Sequence, residues 1–383
     1  MSSLAQLVNY YPKYEYLDNI IAPSSAKKIN IYVDLKGCIQ SLYQEWAIRY
    51  LIDQSNKKSD GSRYIDDSLF ASVLEFINFH KIYAKKRSID LNMYIFSERG
   101  ESTYHVNIYK DYKKNRGNTL SFLTTEQRDI FRLVLNKNFD MIENIGNRIP
   151  KVCVIKLDHL EADFIPYHIR KSILGPFKEN EVDVIYSVDK DMLQCLDNPY
   201  TYIFYKHYMS HKILDHKNAY THYLKKDWDY SDIGLEWFPL LLSINGDSAD
   251  EFDGVRGLGP SFLAKNIKEV IKLVGGSVDE MYRRIQNKVN IFEKDIGTNN
   301  KSMSNMVSDS EKIVRNLKLS SYKLINDYIT GGFPLDTIQK SRYITEIINN
   351  KEKIENGAVI LSAFKRAGLT SNISEDTVYN IFK

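Results

Sequence analysis

Between Asn245 and Ala264 the chain carries two kinds of chemistry side by side. Asp247, Asp250, Glu251 and Asp253 come first. Gly254, Gly257 and Gly259 follow, and Pro260 and Ser261 then open a helix with Phe262, Leu263, Ile267 and Val270 as its apolar face. Closely spaced carboxylates suit a cation. A glycine turn feeding a helix N-terminus suits an anion, because unpaired N–H groups and the helix dipole both point outward. The segment reads as gripping a metal at one end and a phosphate at the other.

Carboxylates recur upstream at places a fold can bring together. Asp34 ends the alternating run from Ile29, and Glu98 follows the apolar run Leu91 to Phe96. Glu161 and Asp163 stand at a helix start, and Asp189 and Asp191 follow the run Val182 to Ser187. If these strands are parallel, their carboxyl ends share one rim, where open α/β sheets bind ligands. Asp34, Glu98, Glu161, Asp163, Asp189, Asp191, Asp247 and Asp250 in one cleft would raise one another's pKa, and divalent cations remove that cost. Oxygen donors without His or Cys favour two Mg²⁺ or Mn²⁺ ions. Two such ions roughly 4 Å apart can activate a water and stabilise the leaving oxygen of a phosphodiester. No serine or cysteine nucleophile is then required, and the 8 histidines form no constellation.

Taken singly, each feature has a plainer reading. An acid after a strand is usually a cap, and acids at a helix start suit the dipole. The run Tyr104 to Arg116 interleaves Tyr104, Tyr109 and Tyr112 with Lys110, Lys113, Lys114 and Arg116, and such runs are more often a solvated face. Gly257 to Gly259 alone is an ordinary turn. The functional reading rests on their joint order.

The elements that must position these residues alternate. Strands are expected at Ile29 to Asp34, Leu91 to Phe96, Val152 to Ile155, Val182 to Ser187 and Thr201 to Tyr205. Helices are expected at Leu35 to Ile52, Asp66 to Tyr83, Gln127 to Ile145, from Glu161 through Ile165, Ile169 and Ile173, at Trp237 to Ile244, and from Pro260 on through Val270 to Ile291. Pro166 must lie in the first turn of its helix, or the helix is kinked there. Met1 to Lys28 read as a loose extension with at most one short helix. Asp295 to Ser310 read as a mobile loop, and Glu311 to Lys383 as helix broken at Gly331 to Pro334 and at Gly357. Strand–helix alternation makes the class α/β.

Bulk composition narrows the partners. The chain has 383 residues, 43% of them hydrophobic, and a net charge of +3, so any nucleic-acid contact must come from a local patch. Cys38, Cys153 and Cys195 are far apart and odd in number, which argues against a disulfide framework and for a reducing compartment. No membrane span or signal pattern is read, so a cytoplasmic protein is expected, in the host cytoplasm if viral. The 27 tyrosines include candidates for stacking on bases.

In order, strand–Asp, Tyr112 to Arg116, Glu161-Ala-Asp163, Asp189-x-Asp191, Gly246-Asp247-x-x-Asp250 and Gly257-x-Gly259-Pro260 resemble the structure-specific 5′-nucleases, nearest the phage ribonuclease H and 5′-exonuclease type. The resemblance runs from about Ile29 to the C-terminus, where Phe364 to Leu369 takes part, and is specific from Glu161 to Lys265. It implies a PIN-like, mainly parallel mixed sheet of five or more strands flanked by helices, with a helical arch between Arg116 and Lys151 and a helix–three-turn–helix region. Residues 1–28 would be an extension, 29–243 the nuclease domain and 244–383 the helical domain.

By the same resemblance Asp34, Glu98, Glu161, Asp163 and Asp189 hold a first metal, and Asp191, Asp247 and Asp250 a second. Lys113 and Arg116 contact the scissile phosphate beside Tyr112 and Lys114. Gly257 and Gly259 hold a duplex backbone, in some members with a K⁺ ion, and Lys265 faces a phosphate. The implied activity is 5′–3′ exonuclease or flap endonuclease action on duplex DNA with a 5′ flap, nick or RNA primer during replication. Implied partners are a single-strand-binding protein or replication clamp, and the protein is expected to be a monomer.

The chain departs from the pattern at Glu98, where aspartate is usual and Ser97 is the other alignment, at Phe164 for a second aspartate, and at Val188 for serine. A DNA-binding accessory factor without chemistry and a PIN-type ribonuclease are the competing readings.

Overall fold

The architecture follows from strands whose two faces are both apolar. In the computed structural model, residues 14–40, 68–99, 102–114, 123–158, 160–207, 210–226, 230, 232–292 and 301–330 are described. Strand β1 (Lys28–Asp34) sends Ile29, Ile31 and Val33 to one buried layer and Asn30 and Tyr32 to the other, the period-2 alternation of a central strand.

Helices α1 (Tyr14–Ser24), α2 (Leu35–Gln40) and α3 (Ser68–Arg87), strand β2 (Asp90–Arg99), helices α4 (Thr103–Ile108) and α5 (Thr125–Gly146) and strand β3 (Val152–Asp158) make up the first half. Helix α6 (Ile165–His168), continued by a π-turn over Ile169–Leu174, leads to β4 (Glu181–Tyr186), a 3₁₀ turn (Lys190–Leu196), β5 (Thr201–His207) and β6 (Ser210–Leu214). Then come α7 (Ala219–Leu224), α8 (Phe238–Asn245), a two-strand hairpin of β7 (Gly246–Asp247) and β8 (Phe252–Asp253), α9 (Pro260–Leu273), α10 (Val278–Gln286), α11 (Lys301–Ser308), α12 (Ser310–Ser320) and α13 (Tyr322–Thr330).

Among the described residues the main sheet has six strands in the order β3-β2-β1-β4-β5-β6. All neighbours run parallel except β5 and β6. The chain winds outward from β1 to β3 and then returns to β4 on the other side of β1. The gap between β1 and β4 is therefore the topological switch point, where carboxyl-end loops diverge and leave a crevice. One face of the sheet packs with α1, α3 and α5. The other carries α6 to α10 and the helices that follow.

Several expectations change. Residues 14–24 form the one short helix expected in the extension, but it is packed rather than loose, burying Leu17 and Ile20 in the core, each worth roughly 1.5–3 kcal/mol. Strand β2 runs through Glu98 rather than ending before it. Strand β6 was not expected; it is short and polar, and pairs antiparallel with β5. The helix from Pro260 does not continue to Ile291: Gly275 and Gly276 both adopt positive φ and end it. Lys301–Ser308 is helix within the expected loop, because Met303 and Met306 have apolar surface to bury. Glu161 and Asp163 precede α6 rather than opening it, and Pro166 lies in its first turn.

Within the stretch expected to carry the arch, α5 exposes Leu133 (68%) and then packs Leu135 and Ile142 into the core. Residues 41–67, 115–122 and 331–383 lie outside the described residues, and with them Arg116, the rest of the Leu35 to Ile52 helix and the C-terminal helical expectation.

Candidate active site

Asp34 ends β1 at the switch point, and its carboxylate is fixed from both sides. Gly37 N–H donates to Oδ1 (2.8 Å) and Ser187 Oγ, just past β4, donates to Oδ2 (3.0 Å). A Cβ at Gly37 would overlap that carboxylate, which explains the glycine in the first turn of α2. Asp189 caps the 3₁₀ turn, accepting from the Asp191 N–H (2.9 Å). That turn aims Asp191 inward, where it is 5% exposed.

The hairpin β7–β8 brings in the remaining pair. Asp247 accepts from the Ala249 N–H (2.9 Å) and pairs with Lys190 (2.9 Å). Gly246 turns with φ 75°, and Gly254 passes so close to the carbonyls of Ile244 and Asn245 that no side chain fits there. Gly254→Ala is expected to cost about 2 kcal/mol or more, because backbone rather than a flexible side chain must move. An unchanged urea midpoint for this variant would refute the close approach.

These elements meet in one cavity of about 270 Å³ lined by Asp34, Glu98, Glu161, Asp163, Asp189, Asp247 and Asp250, with Lys36, Lys113, Lys190 and Tyr205 among the other walls. Asp191 adjoins it: Asp191, Asp247 and Asp250 each offer an oxygen within 4.8 Å of the others. All eight expected carboxylates are thus assembled. Glu98, not Ser97, faces the cavity, since β2 alternates its side chains and Glu98 lies on the face of Phe96. Phe164 is 2% exposed and belongs to the apolar core.

The electrostatics divide the acids. Glu98 pairs with Lys36 (2.6 Å), and Lys113 reaches both Glu161 and Asp250. Among the described residues no lysine or arginine pairs with Asp34, Asp163, Asp189 or Asp191. Burial first, then the neighbouring carboxylates Glu98 and Asp189, push Asp34 up to about 7. Burial likewise takes Asp189 up to about 6, with Asp250 and Glu161 adding to it. Asp163 and Asp191 are pushed well above the carboxylate range by burial and by neighbouring carboxylates. Burial opposes ionisation of Glu161 too, but His105 at 3.8 Å, the Lys113 charge and hydrogen bonds from Lys113 and Tyr112 hold it down at about 2.

One oxygen of Asp163 and one of Asp191 are buried without any hydrogen-bond partner. Buried polar atoms are seldom left so, and the donor set is all oxygen, so the residues fit hard divalent cations. A second buried acid pair shows the alternative. At the opposite end of β1 and β4, Arg170 forks onto Asp183, reaches Glu181 and stacks on Phe177. There the cation is built in.

The expected nucleic-acid residues fall in several places. Lys113 lines the cavity; Lys114 is exposed and pairs with Asp111 (3.0 Å). Tyr112 is 7% exposed, so its ring has no face for a base. Gly257 has φ 82° and, like Gly259, faces open space; Gly259 caps α9, where Lys265 is exposed one turn in. Sequence reasoning missed Lys36, Ser187, Lys190 and His105. Lys190 stands between the two aspartates of Asp189-x-Asp191, and Lys36 two residues after Asp34.

No protein-family model and no curated protein sequence matches the chain. Solved structures do. One is the bacteriophage T5 flap endonuclease in a pseudo-enzyme–product complex with DNA and metal ions, at 19% identity and TM-score 0.56, covering 84% of this chain and 99% of that one. Another is the T5 5′-exonuclease with bound zinc, at 19% identity and TM-score 0.53, covering 85% and 100%. The chain shares their fold, a PIN-like 5′-nuclease architecture with a mixed, mainly parallel six-strand sheet flanked by helices. No helix among the described residues is long and apolar enough to cross a membrane.

Proposed function

We propose that the chain is a metal-dependent 5′-nuclease that hydrolyses phosphodiesters near the 5′ ends of flapped, nicked or RNA-primed duplexes, as in the removal of primers or flaps during replication. The carrying observation is the convergence of eight carboxylates from five parts of the chain on one cavity beside Lys113. The fold shared with nucleases, one of them solved with DNA and metal ions, supports the reading.

In this reading Asp34, Glu98, Glu161, Asp163 and Asp189 hold one divalent cation and Asp191, Asp247 and Asp250 the other. When bound, such cations supply water activation and charge stabilisation of the leaving oxygen. The chain's own residues do the remainder. Lys113, already poised over Glu161 and Asp250, orients the scissile phosphate by charge. Lys36 and Lys190 temper the local anionic charge so that a phosphodiester can approach. The amides at Gly257 and Gly259, with Lys265, hold the duplex backbone and set register without reading sequence.

A single assay tests this: 5′-labelled flap, nicked and RNA–DNA hybrid substrates incubated with Mg²⁺ or with EDTA. Cleavage with Mg²⁺ alone is expected. Binding without cleavage in Mg²⁺ would favour a non-catalytic accessory factor, and cleavage confined to single-stranded RNA a PIN-type ribonuclease.

A further inference from the structure

Two adjacent side chains bracket two acids from different elements. Tyr112 OH lies 3.0 Å from Glu161 Oε2 and 3.1 Å from Asp250 Oδ2. Lys113 Nζ contacts the other oxygen of each, Glu161 Oε1 and Asp250 Oδ1. Consecutive side chains can close on one pair because Lys113 has φ 55°, a left-handed conformation rare outside glycine. Its N–H also meets the Asp250 carbonyl (3.4 Å). Glu161 precedes α6, and Asp250 lies in the β7–β8 hairpin. The Tyr112–Lys113 pair thus staples together the two groups of acids that would hold the two cations.

Tyr112 is itself held from behind. His105 stacks on it, ring centroids 4.7 Å apart and 15° from coplanar, and is 1% exposed. Ser102 caps α4, accepting from the His105 N–H and hydrogen-bonding to His105 Nδ1 (2.6 Å). His105 Nε2 donates to the Leu319 carbonyl at the end of α12 (3.0 Å). That bond places the proton on Nε2 and leaves Nδ1 to accept from the Ser102 hydroxyl. The other surroundings of Tyr112 are Phe252 of β8 and Leu319 of α12. From its own stretch Ile108 and Tyr109 pack against the same cluster and Lys113 Nζ lies 5.0 Å from the ring centroid, so the ring is held by local and distant contacts together.

We infer that Ser102 and His105 are positioning residues: they fix the Tyr112 ring so that its hydroxyl sets the spacing between Glu161 and Asp250. This rests on the metal-binding reading of the cavity. A phenol has one proton to share between two carboxylates, so small rotations of the ring would release one of them. The groups behind metal ligands typically matter by about 10–100-fold in affinity or activity.

The test uses the full chain and Mn²⁺ binding followed by electron paramagnetic resonance, beside Mg²⁺-dependent cleavage. His105→Phe keeps a ring over Tyr112 but loses both hydrogen bonds; Tyr112→Phe keeps the ring but removes the bridge. Each is expected to weaken Mn²⁺ binding about tenfold. Each should also raise the Mg²⁺ concentration for half-maximal rate, with the maximal rate recovered at high Mg²⁺ and flap affinity in EDTA unchanged. His105 Nε2 also lies 3.8 Å from Glu161 Oε2, but its proton is given to the Leu319 carbonyl and burial keeps the ring neutral, so the double variant should be no worse than Tyr112→Phe alone. Multiplicative losses, or unchanged Mn²⁺ affinity in either single variant, would overturn the inference. Absence of cleavage by the unsubstituted protein would instead sink the nuclease reading, and His105→Phe would still have to shift Mn²⁺ affinity.

Discussion

Replacing Asp189 and Asp191 together with asparagine is expected to lower Mg²⁺-dependent cleavage of a 5′-flap substrate by at least about 10³-fold, since removing one preorganised stabilising group commonly costs about 10²–10³. The two residues are assigned to different cations in the proposed reading. Asp189 lines the cavity with Asp34 and Glu161, and Asp191 shares a cluster with Asp247 and Asp250. Asparagine keeps the volume and can still cap the 3₁₀ turn through its side-chain oxygen, so the local fold should persist. Flap binding in EDTA is expected to survive, because the proposed duplex contacts lie at Gly257, Gly259 and Lys265. In EDTA the variant should be at least as thermostable as the parent, because like-charge repulsion among buried carboxylates is relieved. Cleavage within tenfold of the parent would end the proposed chemistry, whatever the binding result.

Much of this site was legible because strand-end acids in an α/β sheet have few places to go. Asp34 and Asp189 needed only parallel pairing of β1 and β4 to meet. The place of Asp247 and Asp250 was not a matter of strand ends: it depends on the β7–β8 hairpin folding back over the rim, and was expected only from the joint recurrence of acids and from the resemblance. The burial of Tyr112 was not legible because a run alternating tyrosine with lysine looks like a solvated face. Its burial comes from Phe252 and Leu319, which are 140 residues or more away in the chain. The lysines among the acids were missed for a related reason. Acid motifs are searched for acids, and Lys36 and Lys190 read as spacers. The double glycine at Gly275 and Gly276 did carry a stop signal, but the apolar periodicity on either side outweighed it.

Without divalent cations the fold should lose stability as pH rises, and this follows from the acids that, among the described residues, no lysine or arginine pairs with. Asp34 sits at about 7 against an ordinary 3.8, a displacement worth roughly 4 kcal/mol. A carboxyl whose folded pKa is raised binds its proton more tightly in the folded than in the unfolded chain. Its contribution is therefore full below the unfolded value and is lost as pH rises through the folded one. Asp189 at about 6 acts in the same direction, as do Asp163 and Asp191. Three buried histidines work against them. His80 lies at about 3, and His105 and His168 are also lowered by burial, so each adds stability as pH climbs towards the ordinary 6.5. Glu161, at about 2, is ionised throughout this range and adds no slope. Between about pH 6.5 and 8 the histidines still add a few tenths of a kcal/mol each, and the acids decide the sign because Asp163 and Asp191 lose stability over the whole range beside Asp34. Asp34 alone then accounts for a loss of roughly 1 kcal/mol between about pH 6.5 and 8. Mg²⁺ at a hundred times its dissociation constant should restore about 2.7 kcal/mol, and more at pH 8 than at pH 6.5 because protons compete for the same oxygens. Urea unfolding in EDTA and in Mg²⁺ across that range measures both effects. Asp34→Asn should flatten the EDTA slope, and a parent profile in EDTA that is flat or rising would mean that these carboxylates are neutralised by something other than the cations assigned to them.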